Sequence, residues 1–154
     1  MSLQTYLTHP GFLIRRCNQA IAGMFAEFAA PYGVTQQQLA TLDAVCDHPG
    51  LDQGEIAELI ALDRSTIGMV VQKLVARGLL NVQTTPRDRR AKILTITDAG
   101  RATKEQLLRE IAPIKDRFLA PLNPSERILF LDMLQRLAAA HNATSRVQHT
   151  LPAA

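Results

Sequence analysis

The chain of 154 residues suffices for one domain with its own core, and its 47 % apolar content is ordinary for a globular protein. No apolar run approaches the ~18 residues that span a bilayer. Residues 1–10 lack a basic start followed by an apolar stretch, so a cytoplasmic protein without a membrane segment is expected. The net charge of +3 hides an uneven distribution: residues 64–97 hold seven cations (Arg64, Lys73, Arg77, Arg87, Arg89, Arg90, Lys92) and one acid, Asp88, a local +6. The other 120 residues carry 10 basic and 13 acidic groups. A basic segment in an acidic remainder points to a polyanion met at one face, although charge alone also fits a solvated surface.

Residues 11–30 read as a long helix, with Leu13, Cys17, Ala20, Met24 and Phe28 on one stripe, widened by Ile14, Ile21 and Phe25. Pro31 and Gly33 end it. Thr35 with Gln38 makes a capping box for a second helix whose buried stripe is Leu39, Leu42 and Val45. Asp52 with Glu55 repeats the device for a short third helix, with Ile56, Leu59 and Ile60 facing inward. Ala61 and Leu62 form a tight connection. Asp63 then caps a fourth helix that buries Ile67, Val70, Val71 and Leu74, and Gly78 stands where a left-handed residue closes a helix.

Residues 79–85 and 91–96 read as two strands joined by the charged turn 86–90. Thr97 and Asp98 open a fifth helix with Leu108, Ile111, Ile114 and Phe118 on one face, which Pro113 must kink or divide. Asn123, Pro124 and Glu126 start a last helix whose core stripe is Ile128, Leu131, Leu134 and Leu137. Residues from Asn142 onward are small or polar and are expected to fray.

The fold expected is mainly α with a small β-hairpin wing: a winged helix-turn-helix lobe over residues 34–97, flanked by helices over 10–31 and 98–141, all within a single domain of residues 1–154. The flanking helices have apolar faces wider than one small domain can cover, so they are expected to dimerise.

The chemistry sits in the middle block. A helix, a tight turn and a second helix that starts with small or polar residues is how a helix is presented to the major groove. The fourth helix leaves Arg64, Ser65, Thr66, Gly68, Met69, Gln72 and Lys73 on or near its outer face. Hydroxyls can bond phosphates or base edges, glutamine suits adenine, and lysine or arginine suits guanine or phosphate. Such spacing alone also fits a helix with an arbitrary polar face. The loop with Arg87, Arg89 and Arg90 weighs against that, because like charges do not stabilise a turn but do suit a narrow, negative minor groove. Asp88 would be repelled by phosphate, so it is expected to brace an arginine. Arg90, two residues on, is the one expected to enter the minor groove, with Arg87 and Arg89 on phosphates.

These blocks resemble the multiple antibiotic resistance regulator (MarR) family. The resemblance is carried by Ile56-Ala57-Glu58-Leu59, Leu62-Asp63-Arg64-Ser65-Thr66, Leu74-Val75-Ala76-Arg77-Gly78-Leu79-Leu80, Asp88-Arg89-Arg90-Ala91-Lys92 and Ile96-Thr97-Asp98-Ala99-Gly100. It implies a dimeric transcriptional regulator on a pseudo-palindromic double-stranded DNA operator, commonly a repressor. It also implies a pocket between the dimer interface and the DNA-binding lobe, where a small ligand weakens DNA binding. Two departures stand out: the family often has threonine and arginine at Gly68 and Met69, and arginines at Asn81 and Gln83.

The segment His9-Pro10-Gly11-Phe12-Leu13-Ile14-Arg15-Arg16 resembles members that sense aromatic acids. Arg15 and Arg16 are the only lysine or arginine residues before Arg64, so they are candidates to clamp a carboxylate, with His9 adding a hydrogen bond. A hydroxylated benzoate, cinnamate or nicotinate is the expected effector class. An arginine pair near a helix start is also commonly just solvated or salt-bridged.

Cys17 and Cys46 stand far apart, so neither a disulfide staple nor a zinc site is expected, and both read as small buried hydrophobes. An alternative function is a thiol-based oxidant sensor of the same fold using Cys17, and a remoter one is a helical protein-interaction module. No nucleophile elbow, metal-ligand spacing or phosphate-cradling glycine loop is present, so no catalytic residue, metal or cofactor is expected.

Overall fold

A computed structural model of the chain describes residues 3–84 and 92–142. The wing turn, with Arg87, Asp88, Arg89 and Arg90, and the tail from residue 143 lie outside the described residues.

Among the described residues eight α-helices and two strands follow one another: α1 Leu3–Leu7, α2 Pro10–Ala29, α3 Gln36–Asp47, α4 Gln53–Leu59, α5 Arg64–Ala76, β1 Leu80–Thr84, β2 Lys92–Ile96, α6 Asp98–Ile111, α7 Pro113–Leu119 and α8 Pro124–Ala140. A 3-10 turn, Ala30–Tyr32, closes α2, and Gly33 follows it with φ +56°. The capping boxes at Thr35, Asp52 and Asn123 are all present, each with its reciprocal pair of hydrogen bonds. The α4–α5 turn is held by Leu62 N–H donating to the Ala57 carbonyl at 2.9 Å, with Ala61 at φ +54°. A non-glycine residue in that region costs about 1–2 kcal/mol, which the packing on either side must offset.

The hairpin is antiparallel, with Leu80 opposite Ile96 and Val82 opposite Leu94, and Asp52 adds a single bridge to Ile93. That bridge ties the start of α4 to the base of the wing. One core joins α3, α4, α5 and the hairpin through Leu42, Ile56, Ile67, Leu74, Leu80 and Leu94, each at most 1 % exposed. A second joins α2, α3, α6 and α7 through Phe25, Ala29, Leu39, Leu107 and Ile114. At the junction Thr97 caps α6 and donates its hydroxyl to the Gly78 carbonyl at 2.7 Å. Gly100 has no room for a Cβ, which would collide with the carbonyl of Leu79.

Several expectations need correcting. Pro113 divides the fifth predicted helix; Ile114 is buried and Ile111 packs against the core as periodicity suggested, but in the first half Leu107 is buried and Leu108 is exposed. The same face carries Lys104, 9 % exposed, whose ammonium reaches Asp43 at 3.2 Å and Asp47 at 3.9 Å on α3. A polar residue on the buried stripe is what displaced the reading. On α8 no residue is buried within the chain; Ile128 is 73 % exposed, Leu137 54 %, and Leu131 and Leu134 37 % each. The predicted core stripe of α8 is therefore an apolar face left uncovered among the described residues. Leu13 and Ile14 on α2 are likewise about half exposed, at 48 % and 53 %. Helix α1 was not foreseen, since five residues give too short a window for periodicity.

Candidate nucleic-acid interface and effector site

The interface is built outward from α5. Its inner face is Ile67, Val70, Val71 and Leu74, all buried as the sequence predicts. The opposite face presents Arg64, Ser65, Met69, Gln72 and Lys73 to solvent, with Thr66 and Gly68 half-buried. Among the described residues Met69 stands 58 % exposed.

The start of α5 is tightly organised. Oδ1 of Asp63 accepts from the Ser65 hydroxyl at 2.5 Å and from Thr66 N–H at 2.8 Å, and Oδ2 accepts from the Thr66 hydroxyl at 2.7 Å. The Ser65 hydroxyl first, then the Thr66 hydroxyl and amide, hold the Asp63 carboxyl well below the usual carboxylate range.

Two residues that sequence reasoning left out of the site belong beside α5. Gln53 opens α4, and its side-chain nitrogen lies 3.9 Å from where a Cβ on Gly68 would stand. Gln53 and Lys92 line two clefts beside α5, one of about 340 Å³ shared with Asp52 and Arg64, the other of about 410 Å³ shared with Gly68 and Gln72. The signal for Gln53 was its place at the start of the helix before the recognition helix, which crosses the backbone in helix-turn-helix proteins. Lys92 was counted in the basic window only.

Arg77, in the same window, is exposed but bonds back onto the protein instead. Its guanidinium donates to the carbonyls of Gly33 and Tyr32, both at 2.7 Å.

At the other end of the chain, His9 caps α2, its Nδ1 accepting from Gly11 N–H at 3.2 Å. Arg15 donates to the Tyr6 hydroxyl at 2.7 Å and lies over the Phe12 ring, 5.5 Å from its centroid. Arg16 instead meets Gln19 at 3.5 Å. The three candidates are thus in separate contacts, and the residues gathered around Arg15 are Tyr6 and Phe12, which the sequence reading missed. Helical periodicity puts Arg15 on one face with Asn18, Ala22, Ala26 and Ala29, and turns Arg16 about 100° away. Those four line a cleft of about 490 Å³ between α2 and the start of α3, floored by Phe25 and closed by Gly33.

Neither cysteine is a buried hydrophobe. Cys17 is exposed, and half-buried Cys46 accepts from Arg101 at 3.0 Å. Among the described residues no cluster of His, Cys, Asp or Glu could hold a metal, and no helix is long and apolar enough to cross a membrane.

The fold matches solved transcriptional regulators over most of its length. Residues 32–91 match the model of the MarR family. The fold superposes on the PcaV transcriptional regulator of Streptomyces coelicolor in complex with its natural ligand (TM-score 0.80, 38 % identity, 91 % of this chain and 99 % of that one). It also superposes on BpsR of Bordetella bronchiseptica, whose DNA binding is regulated by 6-hydroxynicotinic acid (TM-score 0.81, 28 % identity, 86 % and 95 %). The transcriptional repressor CouR bound to a 23-mer DNA duplex is equally similar (TM-score 0.80, 29 % identity, 90 % and 98 %). The chain belongs to the MarR family of winged-helix transcriptional regulators.

Proposed function

We propose that the protein is a homodimeric, sequence-specific DNA-binding repressor that leaves a pseudo-palindromic operator when it takes up a small aromatic carboxylate. The observation that carries the reading is the outward face of α5, polar, cationic and largely exposed among the described residues, at the end of a helix-turn-helix. CouR, with the same fold, is held on duplex DNA.

Residues 34–97 serve as the DNA-binding lobe. Arg64, Ser65, Thr66, Gly68, Met69, Gln72 and Lys73 face the major groove, and Gly68 lets the helix come close. Gln53 and Lys92 flank them and contact the backbone. In the wing turn Arg90 enters the minor groove braced by Asp88, with Arg87 and Arg89 on phosphates. Residues 10–31 and 98–141 form the dimer interface, closing the apolar faces of α2 and α8 over a second copy. The protein acts in the cytoplasm by binding alone, without catalysis.

For the effector, Arg15 takes the carboxylate, the Tyr6 hydroxyl reorients with it, and Phe12 offers a ring for stacking. The ligand body lies along the face that leads into the α2–α3 cleft, and His9 and Arg16 stand at the rim. BpsR, which answers to an aromatic acid, supports this class. Release follows only if the acid binds the DNA-free form more tightly than the DNA-bound form.

The test is a melting screen with 6-hydroxynicotinate, 4-hydroxybenzoate and 4-hydroxycinnamate, followed by DNA binding with each acid that raises the melting temperature. At least one acid should stabilise the protein and weaken its DNA complex, and Arg15→Gln should remove both effects. If no acid shifts melting or DNA affinity, the effector reading fails while DNA binding stands or falls separately.

A further inference from the structure

We infer that Asp63 sets the hydrogen-bond polarity at the leading edge of α5, so that Ser65 and Thr66 meet DNA as acceptors and read a base amino group rather than a phosphate. The inference rests on the DNA-binding reading above and names the chemistry of its contact.

A serine or threonine hydroxyl has one proton and two lone pairs. Here both protons are already committed: the Ser65 hydroxyl to Asp63 Oδ1 at 2.5 Å, the Thr66 hydroxyl to Oδ2 at 2.7 Å. The carboxylate holding them is a pure acceptor, and bonds to it are about twice as strong as bonds between neutral groups. What Ser65 and Thr66 offer outward is therefore lone pairs. Donating to Asp63 also polarises each hydroxyl and makes it a better acceptor.

A DNA phosphate has only acceptor oxygens. To bind one, a hydroxyl would have to give up Asp63, and the phosphate would approach that carboxylate, like charge against like. Guanine N7 and O6 and thymine O4 are acceptors too. The donors in the major groove are adenine N6 and cytosine N4. Ser65 is exposed and Thr66 half-buried on the first turn of α5, the part that reaches base edges in this class of motif. Phosphate contacts are left to Arg64, Lys73, Gln53, Lys92 and the wing.

The experiment starts from a duplex that the wild-type protein selects out of randomised DNA. Each adenine is then replaced by purine and each cytosine by 2-pyrimidinone, one at a time, which removes the amino group alone. One or two replacements per half-site should weaken wild-type binding by about three- to tenfold, the range of one hydrogen bond. The same replacement should cost nothing further in Ser65→Ala or in Thr66→Ala. Asp63→Asn supplies a second check. Asparagine still caps the helix, but it presents one oxygen and one amide nitrogen, so one hydroxyl must turn its proton outward. Its selected duplex should then carry an acceptor base at that position, with the melting temperature confirming an intact fold. Amino deletions without effect, deletions that cost the same in wild type and both alanine variants, or an unchanged selection by well-folded Asp63→Asn would each overturn the inference. If the wild-type protein enriches no duplex, DNA binding itself fails and this contact falls with it.

Discussion

The guanidinium of Arg77 donates to the carbonyl oxygen of Gly33 at 2.7 Å, joining the C-terminal end of α5 to the turn that leaves α2. A second bond to Tyr32 makes the contact a two-pronged clamp, and Gly33 is also a wall of the α2–α3 cleft. Arg77→Met should lower unfolding free energy by about 1–2 kcal/mol, since two charge-assisted bonds at an exposed site are lost and water replaces them in part. Denaturant melts check this. Arg77 spends its charge on the protein, so the salt dependence of DNA binding should keep its slope in the variant. A slope lower by about one would mean that Arg77 contacts phosphate.

Lys104 gives a pH prediction. Burial, the largest influence, disfavours its ammonium, but the hydrogen bond and charge of Asp43 and the contact with Cys46 together outweigh it, and the lysine is raised above its ordinary 10.5. A raised folded value means that the stabilisation is complete below pH 10.5 and is lost as pH climbs through the folded value. Lys104→Met should cost about 1–2 kcal/mol at neutral pH, because Asp43 and Asp47 keep much of their hydration. The gap between variant and wild type should narrow above pH 10.5. A constant gap through that range would show that the ion pair carries none of the stability.

How far the sequence led depends on how local each signal is. The caps at Thr35, Asp52, Asp63, Thr97 and Asn123 are legible because a cap is made by residues within one turn of each other. The outer face of α5 is legible for the same kind of reason, since four buried apolar residues at helical spacing leave the rest outside. Lys104 and Arg77 are not legible. Their partners lie on other parts of the chain, and a cation in a list of charges gives no sign that it bonds to the protein itself. The proton-accepting role of Asp63 was half visible: its capping position was, its hold on two hydroxyls was not. On α8 the stripe is correct as a pattern but is not a core within the chain, because periodicity cannot tell a core from an interface.

That stripe predicts the assembly. Leu134→Asp should convert the protein to monomers at micromolar concentration in light scattering. In a two-fold interface each substitution acts twice, and a buried leucine contributes about 1.5–3 kcal/mol even before the cost of a buried charge. A wild-type protein that is already monomeric at that concentration would contradict the dimer.

In the wing, Asp88→Ala separates two roles. If the loop acts through net charge, removing the acid should tighten operator binding. If Asp88 positions Arg90, binding should weaken, and Arg90→Ala should weaken it too, with a salt slope lower by about one. Tighter binding by Asp88→Ala at matched salt, with an unchanged melting temperature, would reject the bracing role.

Whether the outward face of α5 holds DNA is tested most directly by following the affinity for the selected duplex across a salt series, for wild type and for Arg64→Ala combined with Lys73→Ala. Both side chains are exposed and outside the core, so the fold should survive, as melting will confirm. Wild-type affinity should fall steeply with salt, and the double variant should bind more weakly with a slope of log affinity against log salt shallower by about two. Affinity and slope equal to wild type, in a folded double variant, would show that DNA is met by some other face.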